Sequence, residues 1–325
     1  MPRVTVLSLG GTIASTSDSG SPVQPRLSAD ELLAAVPGLV ERARLEARDV
    51  GRMPSGDMTM DDIASIAADI RDAFAEGVAG VVVTQGTDTL EEVAFALDLL
   101  LARGPVVVTG AMRPPGHIGA DGRANLLAAV TVASSSRAKE LGVVVVMNDQ
   151  VHGARFVRKT HTSGVDAFTS PGAGALGEVA EGHFVLRLAA PPPSGWLARL
   201  SAPFPPVALL TLTLGEDSRL IDEVGSLGYG GVVIEALGGG HVPGRVVDSL
   251  GDLSAALPVV LASRTGAGSV LRSTYGFPGS ETDLISRGLI PAGSLDGPKA
   301  RVLLSVLLAT GADAEGIRRA FAEFG

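Results

Sequence analysis

Two β-branched apolar runs in this chain each break into a glycine-marked turn that presents a threonine, and this pattern leaves few architectures open. Val4-Thr5-Val6-Leu7-Ser8-Leu9 runs into Gly10-Gly11-Thr12-Ile13-Ala14, and Val81-Val82-Val83 runs into Thr84-Gln85-Gly86-Thr87-Asp88-Thr89. An uninterrupted β-branched run followed by glycine and a helix-forming stretch reads as a buried parallel strand ending in a tight turn. Ligands of such sheets sit outside the carboxyl ends of the strands. Two hydroxyl-bearing turns on neighbouring strands then face one cleft, where glycine lets backbone amides approach a substrate closely. The chemistry this suggests is covalent or general-base catalysis at a carbonyl, with threonine as nucleophile.

The rest of the chain fits α/β layering. Further strands are expected at 106–108 and 143–146, and Ser28-Ala29-Asp30-Glu31 and Thr89-Leu90-Glu91-Glu92 both have the form of a capping box at a helix start. The stretch 149–188 is turn-rich and reads as one or two hairpins. Clustered prolines across 191–206 cannot continue a helix or a central strand, so they mark a linker between residues 1–190 and a smaller α/β domain at 207–325. In that second part, strands are expected at 207–212, 231–235 and 259–262, with two terminal helices broken near Gly311.

Composition narrows the function classes. With 46% apolar and 19% charged residues, disorder is not expected in a chain of 325 residues, which is long enough for two domains. A formal charge of -9, with no lysine or arginine cluster, argues against nucleic acid and favours a small-molecule partner. Cysteine is absent, which excludes disulfide and thiol chemistry and leaves the redox compartment open. No apolar run is long enough to span a membrane, and no leader-like segment precedes Val4, so the chain as given reads as cytosolic; removal of a leader would leave the same sequence.

At the threonine turns the chain resembles bacterial-type L-asparaginases. Gly10-Gly11-Thr12-Ile13-Ala14 and Gln85-Gly86-Thr87-Asp88-Thr89-Leu90-Glu91-Glu92 are similar to the two signature segments of that family. The likeness continues through Thr109-Gly110-Ala111-Met112-Arg113-Pro114, Asp121-Gly122-Arg123-Ala124-Asn125-Leu126, the stretch from Met147 to Thr160, and Lys299-Ala300-Arg301. The resemblance implies a flavodoxin-like N-terminal domain with a mainly parallel sheet and a smaller α/β C-terminal domain. It also implies hydrolysis of L-asparagine to L-aspartate and ammonia, with a side activity on glutamine, without a cofactor, by a homotetramer built from intimate dimers.

Residue roles follow from the same resemblance. Thr12 is the implied nucleophile, forming an acyl-enzyme, although a lone Gly-Gly-Thr is more often a helix cap. Thr87, Lys159 and Asp88 form one implied hydrogen-bonded set, in which Lys159 helps Thr87 or a water act as base and Asp88 also meets the substrate ammonium. The chain holds three lysines against twenty-three arginines, so a retained lysine suits an amine that must give up its proton; chance retention is the alternative. Ser55 fits the family's carboxylate-binding serine, Gly86 lines the same site, and Gly56 stands where many members carry glutamine. Glu281 aligns with a glutamate supplied by the neighbouring subunit, and His241 ends a segment that often ends in asparagine. The family's lid tyrosine has no counterpart between residues 15 and 27. Tyr275 either replaces it from the segment before Glu281 or packs on its own domain; the two readings weigh equally.

Two further classes remain at this point: an amino-acid-binding pseudoenzyme, suggested by the absent lid tyrosine and Gly56, and a subunit of a tRNA-dependent amidotransferase. The second is disfavoured by the acidic charge and by the lack of an extension before Val4. Gly172-Ala173-Gly174-Ala175-Leu176-Gly177 satisfies G-x-G-x-x-G without the strand and helix that dinucleotide binding requires, so it reads as a turn. The histidines show no paired ligand spacing, so no metal is expected.

Overall fold

The valine-rich runs lie in the middle of a sheet, where both faces are covered and apolar side chains are needed on each. In the computed structural model, which describes residues 1–16, 24–25, 27–189 and 194–325, the chain divides into the units Met1–Ala198 and Arg199–Gly325. Prolines 191–193 of the expected linker and residues 17–23 of the loop after Thr12 lie outside the described residues.

Among the described residues, the first unit holds an eight-stranded sheet. Its spatial order is His183–Leu186, Gly177–Ala180, Gln150–Gly153, Val143–Met147, Val106–Thr109, Gly80–Thr84, Arg3–Ser8 and Arg44–Asp49. The five strands from Val143–Met147 to Arg44–Asp49 are parallel to their neighbours. The remaining three are added antiparallel as hairpins. The Gly172–Gly177 glycine run is a turn that leads into one of these hairpin strands. Taken in chain order the parallel strands lie 2-1-3-4-5, the flavodoxin-like arrangement.

Burial explains the sequence of the central strands. Val81, Val82, Val83, Val106, Val107 and Val108 are all 0% exposed, so both faces of the sheet are covered. Val82 and Val107 pack with Leu126, Ala129 and Val130 of the helix Gly122–Ala133. Because side chains alternate along a strand, Val81, Val83, Val106 and Val108 face the other layer. Helices Met60–Ala75 and Leu90–Leu100 pack on the sheet and on each other. The helix Met60–Ala75 buries Ile63, Ile66, Ala67 and Ile70, the spacing of one helical face.

The strand Arg44–Asp49 has no such apolar run. It is an edge strand whose charged residues (Arg44, Glu46, Arg48, Asp49) discourage pairing with another chain. The second unit has a four-stranded parallel sheet in the order Val207–Thr211, Gly231–Ala236, Val259–Ser263, Ile290–Pro291. Its core is formed by Val232, Ile234, Val259 and Leu261 with Val247 and Leu250 of the helix Val247–Ala256. The chain ends in two helices, Gly297–Ala309 and Ala314–Ala322.

In the first unit the strand order reverses between Arg3–Ser8 and Gly80–Thr84. A crevice opens beyond the carboxyl ends at such a switch point, because the connections leave on opposite sides. Both threonine turns begin there.

Candidate active site

The two turns are joined backbone to backbone. Leu9 N–H donates to the Thr84 carbonyl at 2.9 Å, carrying the pairing of the strands past their ends. Gly11 then takes φ 82°, a conformation that disfavours side chains, and a Cβ there would lie 2.2 Å from the Gly86 nitrogen. Gly86 is equally constrained, since a Cβ on it would sit 2.7 Å from Ser55 Oγ. Glycine at these two positions lets three segments converge: the turns after the first and third parallel strands, and the short turn Ser55–Asp57 after the second.

Thr12 opens a 3-10 turn, Thr12–Ala14, which follows Gly11. Its side chain is half-buried, and its hydroxyl makes no hydrogen bond among the described residues. The Ser15 hydroxyl instead satisfies the Gly11 carbonyl at 2.8 Å. Ser55 is buried, whereas Gly56 is exposed with open space around a would-be Cβ, so nothing in the chain itself excludes a longer side chain there.

Lys159 binds the second turn together. Its Nζ donates to Thr87 Oγ1 at 2.9 Å and to Asp88 Oδ1 at 2.7 Å. Thr87 is buried, the Lys159 side chain is 15% exposed and that of Asp88 is 80% exposed, so the ammonium is sheltered while the carboxylate faces outward. The lysine backbone is anchored as well: its N–H donates to Glu91 Oε2 at 2.6 Å. Nothing in the sequence assigned Glu91 a part in the site: it lies in the first turn of the helix Leu90–Leu100, and no local spacing links it to a lysine sixty-eight residues away.

The Thr89 capping box is not formed. Thr89 caps the helix Leu90–Leu100 by position, but its hydroxyl donates to the Ser55 carbonyl at 2.8 Å and makes no cap bond. The tie between turns takes the place of the local one. The Ser28 box is present as expected, with the Ser28 side chain accepting from Glu31 N–H.

Two other segments of the resemblance act as a frame. Asp121 accepts the N–H groups of Met112 and Arg113, both at 2.9 Å, and the Asn125 amide at 3.0 Å. Asn125 in turn donates to the Gly110 carbonyl and accepts from Asn148 N–H. These contacts hold the turn after Val106–Thr109 beside Thr87, whose methyl group would lie 3.1 Å from a Cβ on Gly110.

Glu281, His241 and Tyr275 come together in the second unit. The Glu281 carboxylate is 0% exposed and accepts the backbone N–H groups of Thr274 at 2.6 Å and Tyr275 at 2.7 Å. His241 Nε2 lies 3.1 Å from its other oxygen. Burial pushes the carboxyl up, but the backbone N–H groups of Tyr275, Glu281 itself and Thr274, with His241, hold it below its ordinary value. The rings of Tyr275 and Phe277 meet His241 edge-on at 5.0 and 5.2 Å. Among the described residues no cluster of histidine, aspartate or glutamate is arranged to hold a metal ion, and no helix is long and apolar enough to cross a membrane.

Comparison with known proteins agrees along the whole chain. Residues 3–191 match the family described as asparaginase, N-terminal, and residues 206–321 the glutaminase/asparaginase C-terminal domain. A probable L-asparaginase of Deinococcus radiodurans is 38% identical, with 99% of this chain and 98% of that protein covered. An L-asparaginase of Bacillus licheniformis is 34% identical, with 98% of each chain covered. The crystal structure of a probable cytoplasmic L-asparaginase from Campylobacter jejuni matches with a TM-score of 0.90 at 33% identity over 100% of both chains. With both of its units matched and full-length relatives above 30% identity, this chain belongs to the asparaginase family.

Proposed function

We propose that this chain is an L-asparagine amidohydrolase with Thr12 as its nucleophile. The observation that carries the reading is Lys159 bridging Thr87 and Asp88 beside the Gly11–Thr12 turn. Thr12 Oγ attacks the side-chain amide carbon, and its proton passes to a base. The N–H groups of the two turns bear the oxyanion. Collapse breaks the C–N bond, ammonia leaves with an added proton, and an ester to Thr12 remains. Water, activated through Thr87 and Lys159, then attacks the ester carbon, giving L-aspartate and restoring the hydroxyl. Ser55 and the Gly86 backbone receive the substrate carboxylate, and exposed Asp88 receives its ammonium. Glutamine is taken by the same route as a slower substrate.

The enzyme works as a homotetramer of intimate dimers in the cytoplasm, as its similarity to the probable cytoplasmic L-asparaginase of Campylobacter jejuni supports. A neighbouring subunit completes each site through Glu281 and Tyr275. Ammonia release from asparagine and from glutamine, measured side by side, tests the substrate. Thr12→Ala, Thr87→Val and Lys159→Met each lower kcat by about 10³-fold or more with the fold intact, as for groups that act as a unit. A folded Thr87→Val enzyme with normal turnover overturns the mechanism, and binding of asparagine without ammonia release marks an amino-acid-binding protein instead.

A further inference from the structure

The helix Leu90–Leu100 is a rigid platform. Ala94, Phe95, Ala96 and Leu97 are all 0% exposed, and four consecutive residues point round the whole circumference of a helix. Its first turn is wired differently from those of the helices Ala29–Ala34 and Met60–Ala75, where Ser28 and Thr59 form capping boxes with N–H groups of their own helix. Thr89 holds the same position and makes no cap bond; its hydroxyl donates to the Ser55 carbonyl at 2.8 Å. Glu91, two residues on, accepts the backbone N–H of Lys159 at 2.6 Å. A helix without its cap bond forgoes local stabilisation, and here both side chains reach outward to the segments that carry Ser55 and Lys159.

Those segments have little support of their own. Ser55–Asp57 is a single 3-10 turn. Arg158–Lys159 is a two-residue strand paired with Phe168–Thr169 in a two-stranded ladder outside the eight-stranded sheet, and a ladder of that size is marginal by itself. The flexible four-carbon stem of a lysine gives its ammonium many positions, so holding Nζ on both Thr87 Oγ1 and Asp88 Oδ1 depends on a fixed backbone. Glu91 fixes it with a charge-assisted bond, the stronger kind, from the turn of helix that directly follows Thr87 and Asp88. The lysine and its two acceptors are thereby held in one frame.

We propose that the first turn of this helix is the bracket of the site, with Glu91 the positioning residue for Lys159 and Thr89 the positioning residue for the turn that carries Ser55. This rests on the reading of the chain as an asparagine amidohydrolase, in which Lys159 serves the chemical steps and Ser55 the substrate carboxylate. The two ties then have separable effects. Without Glu91 the lysine amine moves off the proton path and kcat falls; without the Thr89 bond the Ser55 turn loosens and KM rises.

The test is steady-state ammonia release from asparagine by the assembled enzyme, with the folding of each variant checked by thermal denaturation. Glu91→Ala lowers kcat about 30-fold or more and changes KM less than roughly threefold. Glu91→Gln, which keeps an acceptor oxygen at the same reach, recovers kcat to within about fivefold of wild type. Glu91→Asp, one methylene shorter, does not, and it serves as the readout if Glu91→Ala fails to fold. Thr89→Val shows the opposite split, with KM raised about tenfold and kcat within roughly threefold, and Thr89→Ser restores KM. In a Lys159→Met background Glu91→Ala costs less than about a further twofold, because one residue acts through the other. A folded Glu91→Ala enzyme with kcat within about twofold of wild type overturns the proposal. So does a Glu91→Ala loss that persists in full beside Lys159→Met, or an unchanged KM in Thr89→Val. A wild-type enzyme that releases no ammonia from asparagine overturns the underlying reading and both roles with it, a result separate from these ratios.

Discussion

A threonine hydroxyl is a weak nucleophile at neutral pH, and something must take or share the proton of Thr12. The segment 15–27 offers no tyrosine. Its residues Ser17, Asp18, Ser19 and Ser21 lie outside the described residues. Tyr275 is the proposed alternative: Glu281 pins its backbone N–H at 2.7 Å, the residue is half-exposed, and its hydroxyl makes no hydrogen bond among the described residues. Tyr275→Phe is expected to lower kcat by about 10²-fold, the scale of one positioned proton-transfer group, with Tm unchanged. Full turnover in Tyr275→Phe would assign the proton to a hydroxyl of the segment 15–27 or to a water. The two tyrosines of the chain were visible in the sequence, but not that the carboxylate six residues later would fold back onto the Tyr275 amide.

Among the elements, the helix Leu90–Leu100 and the strand Gln150–Gly153 carry buried ionisable groups that the reaction does not use. Asp98 accepts Val143 N–H at 3.1 Å, and burial pushes it up to about 6 despite that bond and nearby Arg155. His152 lies 2.9 Å from the Ser170 hydroxyl, and burial pushes it down to about 4. Their pH effects oppose each other. Between pH 6 and 4 the folded state holds a proton on Asp98 that the unfolded chain lacks, so acidification adds stability. From pH 6.5 down to 4 the unfolded chain protonates a histidine that the folded state keeps neutral, so acidification removes it. Each effect is on the order of 3 kcal/mol, so they largely cancel. Asp98→Asn should therefore lose stability more steeply than wild type on going from pH 7 to 4.5, and His152→Gln less steeply, in urea denaturation. Parallel pH profiles for both variants would show that burial does not control these groups.

For the whole molecule, the proposed assembly predicts complementation. A Thr12→Ala chain lacks the proposed nucleophile, and a Glu281→Ala chain loses the acceptor that pins Thr274 and Tyr275 as well as the partner of His241, so each is expected to be nearly inactive, yet a twofold mixed dimer holds one site with both groups intact. Random mixing makes half of the dimers mixed with one of two sites whole, so about a quarter of wild-type activity should return. Mixed oligomers verified by mass spectrometry that stay inactive would show that Glu281 does not act across subunits.

The sequence alone settled the central strands and their turns. Val81-Val82-Val83 tolerates only a doubly covered position, and Gly11 and Gly86 announce close approach, because these are local properties of the chain. The strand Arg44–Asp49 went unread, since a charged edge strand has no apolar run to betray it, so the flavodoxin-like 2-1-3-4-5 order was expected from the family resemblance alone and not from the pattern of apolar runs. Tertiary structure also decided which partner won when several were chemically equal. Thr89 had a capping glutamate within reach and bonded instead to the Ser55 carbonyl, thirty-four residues away in the chain. Lys159 found Thr87 across seventy-two residues, and its backbone found Glu91. Each such bond contributes only about 0.5–3 kcal/mol net, and it forms only where packing brings donor and acceptor together, so the positions of distant segments select the partner.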